Sequence, residues 1–119
     1  MEFSYRIIGN FCIFDLPKDI FLKNNVIKLK NTINEIIDQG HSNILLNLSN
    51  IPRIDGTGLG ALLNIQKFAL YNEINIRLYG LQPYVAQMMF QTRLNKVFDI
   101  CMPEEEFCEE ALSDTLIVG

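Results

Sequence analysis

The stretch of sequence that decides the fold is residues 44–63, which read ILLNLSNIPRIDGTGLGALL. Its apolar first part, residues 44–48, predicts a buried β-strand. An apolar run long enough for an α-helix begins near Thr57. Because Gly56 and Gly58 flank Thr57, the sequence places an accessible hydroxyl group at the turn between the strand and the helix.

Taken alone, Thr57 is best interpreted as a helix-start hydroxyl that serves the backbone, but this turn also has the properties that a phosphorylation switch needs. Backbone amides at a helix start lack partners and carry partial positive charge, so they tolerate an added phosphate group. Glycine has no side chain, so we expect Gly58 and Gly60 to keep the helix start open to a partner protein and tight against the sheet. Asp55 fits the position of a helix N-cap and is also a candidate functional acid, and the two roles are compatible.

Length and composition are those of one globular domain. The chain has 119 residues, of which 49% are hydrophobic, enough for a folded core. No apolar run approaches the roughly 20 residues that span a bilayer, and residues 1–6 do not resemble a signal peptide. The spacing of Cys12, Cys101 and Cys108 does not suit a metal site and favours reduced, structural thiols. We therefore expect a cytoplasmic protein that does not act at a membrane.

Charge is distributed unevenly along the chain. Residues 1–96 contain all ten basic residues and seven acidic ones, whereas residues 97–119 contain seven acidic residues and no basic one. The acidic run Glu104-Glu105-Glu106 is typical of a solvated helix face. The formal net charge is −4 and the sequence has no basic cluster, which argues against nucleic acid as a partner.

Helical and strand patterns alternate along the sequence. The predicted strands are residues 5–8, 11–16, 43–48, 74–79 and 97–100, with the hairpin signal Gly9-Asn10 between the first two. The predicted helices are residues 25–39, ended by Gly40, residues 57–71, a helix beginning at Pro83, and a last helix beginning at Pro103-Glu104. This alternation predicts a single α/β domain, residues 1–119, with a partly parallel sheet.

The sequence offers no catalytic or cofactor-binding set. The glycine loop around Thr57 lacks the Gly-Lys-Ser/Thr ending of a nucleotide P-loop, and its third glycine stands one position too early for a dinucleotide loop. His41 is the only histidine and lies in a Gly-His-Ser turn, which favours a surface residue. These patterns therefore predict no metal and no cofactor.

Three segments, residues 44–63, 76–83 and 92–100, resemble the STAS domain family, which is typified by bacterial anti-sigma-factor antagonists. The matching features are a buried strand, an Asp-x-Ser/Thr-Gly-Leu motif at residues 55–59 and a later Leu-x-x-x-Phe motif at residues 94–98. The resemblance covers residues 43–112 well and the N-terminal part by pattern. Antagonists commonly have Asp-Ser-Ser-Gly where this chain has Asp55-Gly56-Thr57-Gly58.

The resemblance implies a binding switch, not an enzyme, on a small mixed β-sheet with about four helices mainly on one face. The unphosphorylated domain would bind an anti-sigma-factor serine/threonine kinase and thereby release the sigma factor. Phosphorylation at Thr57 would end this binding, and a PP2C-type phosphatase would restore it. The alternative is a STAS scaffold subunit of a stressosome-like or lipid-transport complex, without obligatory phosphorylation.

The partner-binding residues that the resemblance implies come from two loops: Asp55, Gly56, Thr57, Gly58 and Leu59 from the motif, and Asp19 and Leu22 from the loop after residue 16. In the second loop, Phe21 and Leu22 are apolar among polar neighbours. We expect Phe21 to pack in the core and Leu22 to lie at the surface.

Overall fold

A computed structural model describes residues 4–22 and 24–101 of the chain. The elements, in chain order, are β1 (Tyr5–Ile8), β2 (Phe11–Asp15), α1 (Asn25–Asp38), β3 (Asn43–Asn47), α2 (Gly56–Tyr71), β4 (Asn75–Tyr79), α3 (Pro83–Gln91), a short 3₁₀-helix (Leu94–Lys96) and β5 (Asp99–Cys101). The predicted alternation of strands and helices is therefore confirmed within this part of the chain.

The five strands form one mixed sheet in the order β1-β2-β3-β4-β5. β1 and β2 pair antiparallel through a turn in which Gly9 adopts a φ of 59°. The other neighbouring strands pair parallel. Parallel neighbours need a crossover connection, which the helices α1, α2 and α3 supply. As a result, β2, β3 and β4 all end at the same edge of the sheet.

One face of the sheet carries the main core, and all three helices pack against it. Alternate residues of the parallel strands supply the sheet side of this core: Cys12, Phe14, Ile44, Leu46, Ile76 and Leu78. The buried residues of α1 are Leu29, Ile33 and Ile36, which follow the predicted spacing of three and four. Burial raises the pKa of the Cys12 thiol to about 11, so this side chain stays protonated and behaves as a small apolar residue.

The end of α1 follows the prediction from its glycine. Gly40 has a φ of 93°, its N–H donates to the carbonyl of Ile37 at 2.9 Å, and the N–H of His41 donates to the carbonyl of Ile36 at 3.2 Å. A residue in this left-handed conformation turns the chain out of the helix, and glycine adopts it without steric cost.

Two predictions need correction, and others fall outside the described residues. The last strand was predicted at residues 97–100 but is Asp99–Cys101, because Val97 and Phe98 still donate backbone hydrogen bonds to the carbonyl of Leu94, the first residue of the 3₁₀-helix. The helix predicted to begin at Pro103-Glu104, Cys108 and the acidic run lie outside the described residues. Residues 4–22 and 24–101 form three α-helices rather than about four, and no helix among them is long and apolar enough to cross a membrane.

Candidate functional site

The candidate site lies at the edge of the sheet where the parallel strands β2, β3 and β4 end. Three connections meet at this edge: the loop before α1, the loop before α2 and the short loop before α3. Thr57 is exposed at the second position of α2, in the middle of these connections. The parallel topology therefore brings segments that are distant in sequence around one hydroxyl group.

Asp55 is the N-cap of α2. Its backbone is extended, with φ −110° and ψ −174°, and its Oδ1 accepts a hydrogen bond from the Gly58 N–H at 2.9 Å. Its own carbonyl accepts the Leu59 N–H at 2.9 Å, which begins the helical pattern. The capping role predicted for Asp55 is confirmed, and such caps contribute about 1 kcal/mol.

Gly58 is the tightly packed glycine of the motif. A Cβ atom added to it would lie 2.7 Å from Cγ1 of Ile54 and 3.1 Å from Cδ2 of Phe21. These neighbours belong to the two loops, so Gly58 packs against the loops rather than against the sheet. Glycine here lets the loop before α1 and the loop before α2 approach the same turn of helix.

The expectation that Gly60 is also tightly packed is wrong. A Cβ atom on Gly60 would meet nothing within 4 Å, and the same holds for Gly56. Gly56 and Gly60 are exposed, whereas Gly58 is buried. Gly58 therefore lies on the closely packed side of the helix start, and Gly56 and Gly60 lie on its open side.

The residues that the resemblance implied for partner binding divide by exposure. Leu59 is 7% exposed and packs in the main core, so its side chain holds the helix start in place rather than facing outward. Gly58 is buried in the same way. The exposed members of the set are Asp55, Gly56, Thr57 and Leu22.

The described residues of the loop before α1 are held by hydrogen bonds to a backbone carbonyl. The carbonyl of Asp19, a half-buried residue, accepts the Leu22 N–H at 3.0 Å and the Asn25 Nδ2 at 2.8 Å. Leu22 is 60% exposed, as predicted, and Phe21 packs half-buried against the main core. Ile20, which the sequence did not single out, is the fully buried anchor of this loop.

A groove of about 620 Å³ lies beside Thr57. The loop before α1 contributes Lys18, Phe21 and Leu22 to its lining, and the segment before α2 contributes Arg53, Ile54 and Asp55. Tyr84, from the first turn of α3, closes the remaining side. The groove thus combines apolar surface with two cationic side chains and one carboxylate.

Two contacts join α3 to the segment before α2. The guanidinium carbon of Arg53 lies 5.5 Å from the centre of the Tyr84 ring, within cation–π range. The Gln82 Nε2 donates to the carbonyl of Ser49 at 2.7 Å. The sequence analysis did not identify Lys18, Arg53 and Tyr84, because they come together only in the tertiary structure. Of the three, only Arg53 lies within residues 44–63, the stretch that decides the fold.

The chemistry available here is that of binding and modification. Within the described part of the chain, no group of three His, Cys, Asp or Glu residues is placed to hold a metal ion. Thr57 offers an accessible hydroxyl, and the groove beside it offers cations and apolar side chains. This arrangement suits a docking surface that contains a modifiable residue.

Comparisons with known proteins point to one family. A family model described as "STAS domain" matches residues 2–107. A Thermotoga neapolitana protein, named as a homologue of TM1081 with a suggested role as an anti-sigma factor antagonist, is 32% identical over 65 residues. That match covers 55% of this chain and 58% of the relative, so the chain spans little more than half the length of the relative.

Solved structures share the fold over nearly the whole chain. The crystal structure of TM1081 from Thermotoga maritima, for which the same role is suggested, gives a TM-score of 0.69 at 24% identity and covers 92% of this chain and 93% of that one. The Bacillus cell fate determinant SpoIIAA in its phosphorylated form gives 0.58 at 16% identity and covers 90% and 97%. At these identities the likeness shows a common fold.

Proposed function

Because the chain belongs to the STAS domain family, we propose that it is an anti-sigma-factor antagonist controlled by phosphorylation. The unphosphorylated protein binds a kinase-type anti-sigma factor and releases the sigma factor. The same kinase phosphorylates Thr57 and ends the binding, and a PP2C-type phosphatase restores it. This role needs no cofactor, no catalytic residue of this chain and no nucleic acid, and it places the protein in the cytoplasm with its sigma factor.

The observation that carries the proposal is the position of Thr57. Its side chain is exposed at the second residue of α2, beside a groove built from three connections. A phosphate at this point meets the positive end of the helix, so the modified protein stays folded. The same phosphate lies where a docked partner would contact Leu22, Asp55 and Gly56.

The size of the effect follows from charge. Phosphorylation adds about −1.5 to −2 charges at pH 7. Burying this charge against a partner surface that has no matching cation costs free energy, which we expect to be about 2–4 kcal/mol. A loss of that size weakens binding about 30-fold to several hundred-fold, which is enough to release a partner.

A capture experiment tests the proposal with three forms of the protein. Wild type, Thr57→Glu and Thr57→Val are used to capture partners from lysate of the source cells. We expect wild type and Thr57→Val to retain an ATPase of the kinase-type anti-sigma class, and Thr57→Glu to lose it. Thr57→Val keeps the shape of the side chain and removes the hydroxyl, so it separates charge from bulk.

Incubation with the captured kinase and ATP provides the second measurement. Mass spectrometry should find one added phosphate on wild type and none on Thr57→Val. Normal phosphate incorporation into Thr57→Val would remove Thr57 from the proposal. Equal capture of the kinase by wild type and Thr57→Glu would remove the switch.

A further inference from the structure

The groove beside Thr57 holds two cationic side chains that the capping of α2 does not use. Arg53 and Lys18 line it from separate loops, and Asp55 is the carboxylate among the lining residues. One oxygen of Asp55 already accepts the Gly58 N–H. The groove therefore has cationic groups beside the residue proposed as the phosphoacceptor.

We infer that Arg53 is the receiver of a phosphate on Thr57, and that it leaves the ring of Tyr84 to pair with that phosphate. The inference rests on the proposed modification of Thr57. It goes further because it assigns an internal partner to the phosphate, so that phosphorylation changes the lining of the groove as well as its charge.

The present position of Arg53 makes this exchange favourable. Its guanidinium lies over the ring of Tyr84, a residue that is 44% exposed, and a cation–π contact at an exposed site is weak. A guanidinium and a phosphate form two parallel, charge-assisted hydrogen bonds, which are stronger. Arg53 is itself exposed, so its side chain changes partner without losing buried surface.

Arg53 and Thr57 line the same groove. Arg53 stands four residues before Thr57, and α2 begins between them at Gly56. Lys18, from the loop before α1, adds a second cation to the lining of the groove. The carboxylate of Asp55 repels the phosphate, whereas the two cations in the lining of the groove attract it.

The exchange has a consequence for Tyr84. With Thr57 unmodified, a partner meets a groove whose α3 side is a stacked Arg53–Tyr84 pair. When Thr57 is phosphorylated, the guanidinium of Arg53 turns toward the phosphate and no longer contacts the ring of Tyr84. The modification thus removes a cation that an acidic group of the partner could bind and places a dianion in its path.

The test uses protein in which phosphothreonine is incorporated at position 57 during synthesis, so no kinase is needed. The second pKa of the phosphate, about 6 when unperturbed, is read from the ³¹P chemical shift as a function of pH. A nearby cation favours the dianion and lowers this pKa. We expect it to be lower by about 0.5 unit or more in otherwise wild-type protein than in Arg53→Gln.

Arg93→Gln is the matched control. Arg93 is also exposed and lies beyond the far end of α3, whose last residue, Gln91, is about 10 Å along the helix axis from Tyr84. This variant should keep the wild-type phosphate pKa. In the same samples, the Tyr84 ring proton signals should shift on phosphorylation with Arg53 present and stay in place with Arg53→Gln.

An equal phosphate pKa in wild type and Arg53→Gln overturns the inference. An equal rise of this pKa in Arg53→Gln and Arg93→Gln also overturns it, because the phosphate would then respond to the net charge of the protein rather than to Arg53. The proposed function fails separately. If no kinase modifies Thr57, the antagonist role is lost while the pairing of Arg53 with an incorporated phosphate is still measured.

Discussion

The two sides of the start of α2 are built in opposite ways. On one side, Gly58 is buried with Ile54 and Phe21 so close that an added Cβ would lie 2.7 Å from one and 3.1 Å from the other. On the other side, Gly56 and Gly60 face open space and Thr57 is exposed. The tight side fixes where the hydroxyl stands, and the open side leaves it accessible.

Substitution at Gly58 tests the tight side and has the largest expected effect. Gly58→Val should lower the free energy of unfolding by about 2–3 kcal/mol, because its side chain overlaps Ile54 and Phe21. Denaturant unfolding followed by circular dichroism measures this loss.

Gly60→Ala is the matched control for the same helix. It should leave stability unchanged or raise it by about 0.5–1 kcal/mol, since alanine has a higher helix propensity than glycine. A similar loss of stability in Gly58→Val and Gly60→Ala would contradict the proposed difference between the two sides of the helix start.

The two apolar residues of the loop before α1 sharpen the comparison. Phe21→Ala should cost about 2 kcal/mol of stability, less than a fully buried phenylalanine because the ring is only half-buried. Leu22→Ala, at a position 60% exposed, should change stability by less than about 0.5 kcal/mol and weaken binding of the partner by about 1 kcal/mol.

Thermal unfolding and titration calorimetry with the captured kinase separate these two effects. A large loss of stability for Leu22→Ala together with none for Phe21→Ala would reverse the assignment. Unchanged binding by Leu22→Ala would take that side chain out of the docking surface.

At the cap itself we expect a smaller loss of stability than at Gly58 or Phe21. Asp55→Ala should lower stability by about 1 kcal/mol, because the Gly58 N–H loses its acceptor. Asp55→Ser should recover most of that loss, since a serine oxygen also caps. If Asp55→Ser folds like wild type and still binds the kinase poorly, the carboxylate has a role in docking beyond capping.

The sequence predicted the parts of this molecule that depend on local pattern. The spacing of Leu29, Ile33 and Ile36 predicted α1, and Asp55 was a candidate N-cap that the structure confirms. The STAS resemblance is confirmed by the family match. These features are set by periodicity and by hydrogen bonding between near neighbours.

Features that depend on distant neighbours were missed or misjudged. The difference between Gly58 and Gly60 arises from Ile54 and Phe21, and nothing in a glycine-rich motif shows which glycine faces them. The pairing of Arg53 with Tyr84 joins residues 31 positions apart in sequence. The last strand shifted by two residues at its start because a 3₁₀ turn holds Val97 and Phe98.

The connection between β4 and α3 limits how this site can change. Gly80 has a φ of 71°, and a Cβ there would lie 2.7 Å from Oδ1 of Asn47, while Gln82 holds the carbonyl of Ser49. Lengthening the segment after β3 would disrupt the close packing at Gly80 and the hydrogen bond from Gln82 to Ser49, and it would displace the start of α2. Paralogues of this chain, or redesigned versions of it, would therefore acquire new partners by exchanging side chains at positions 18, 22 and 84, with the loop lengths kept constant.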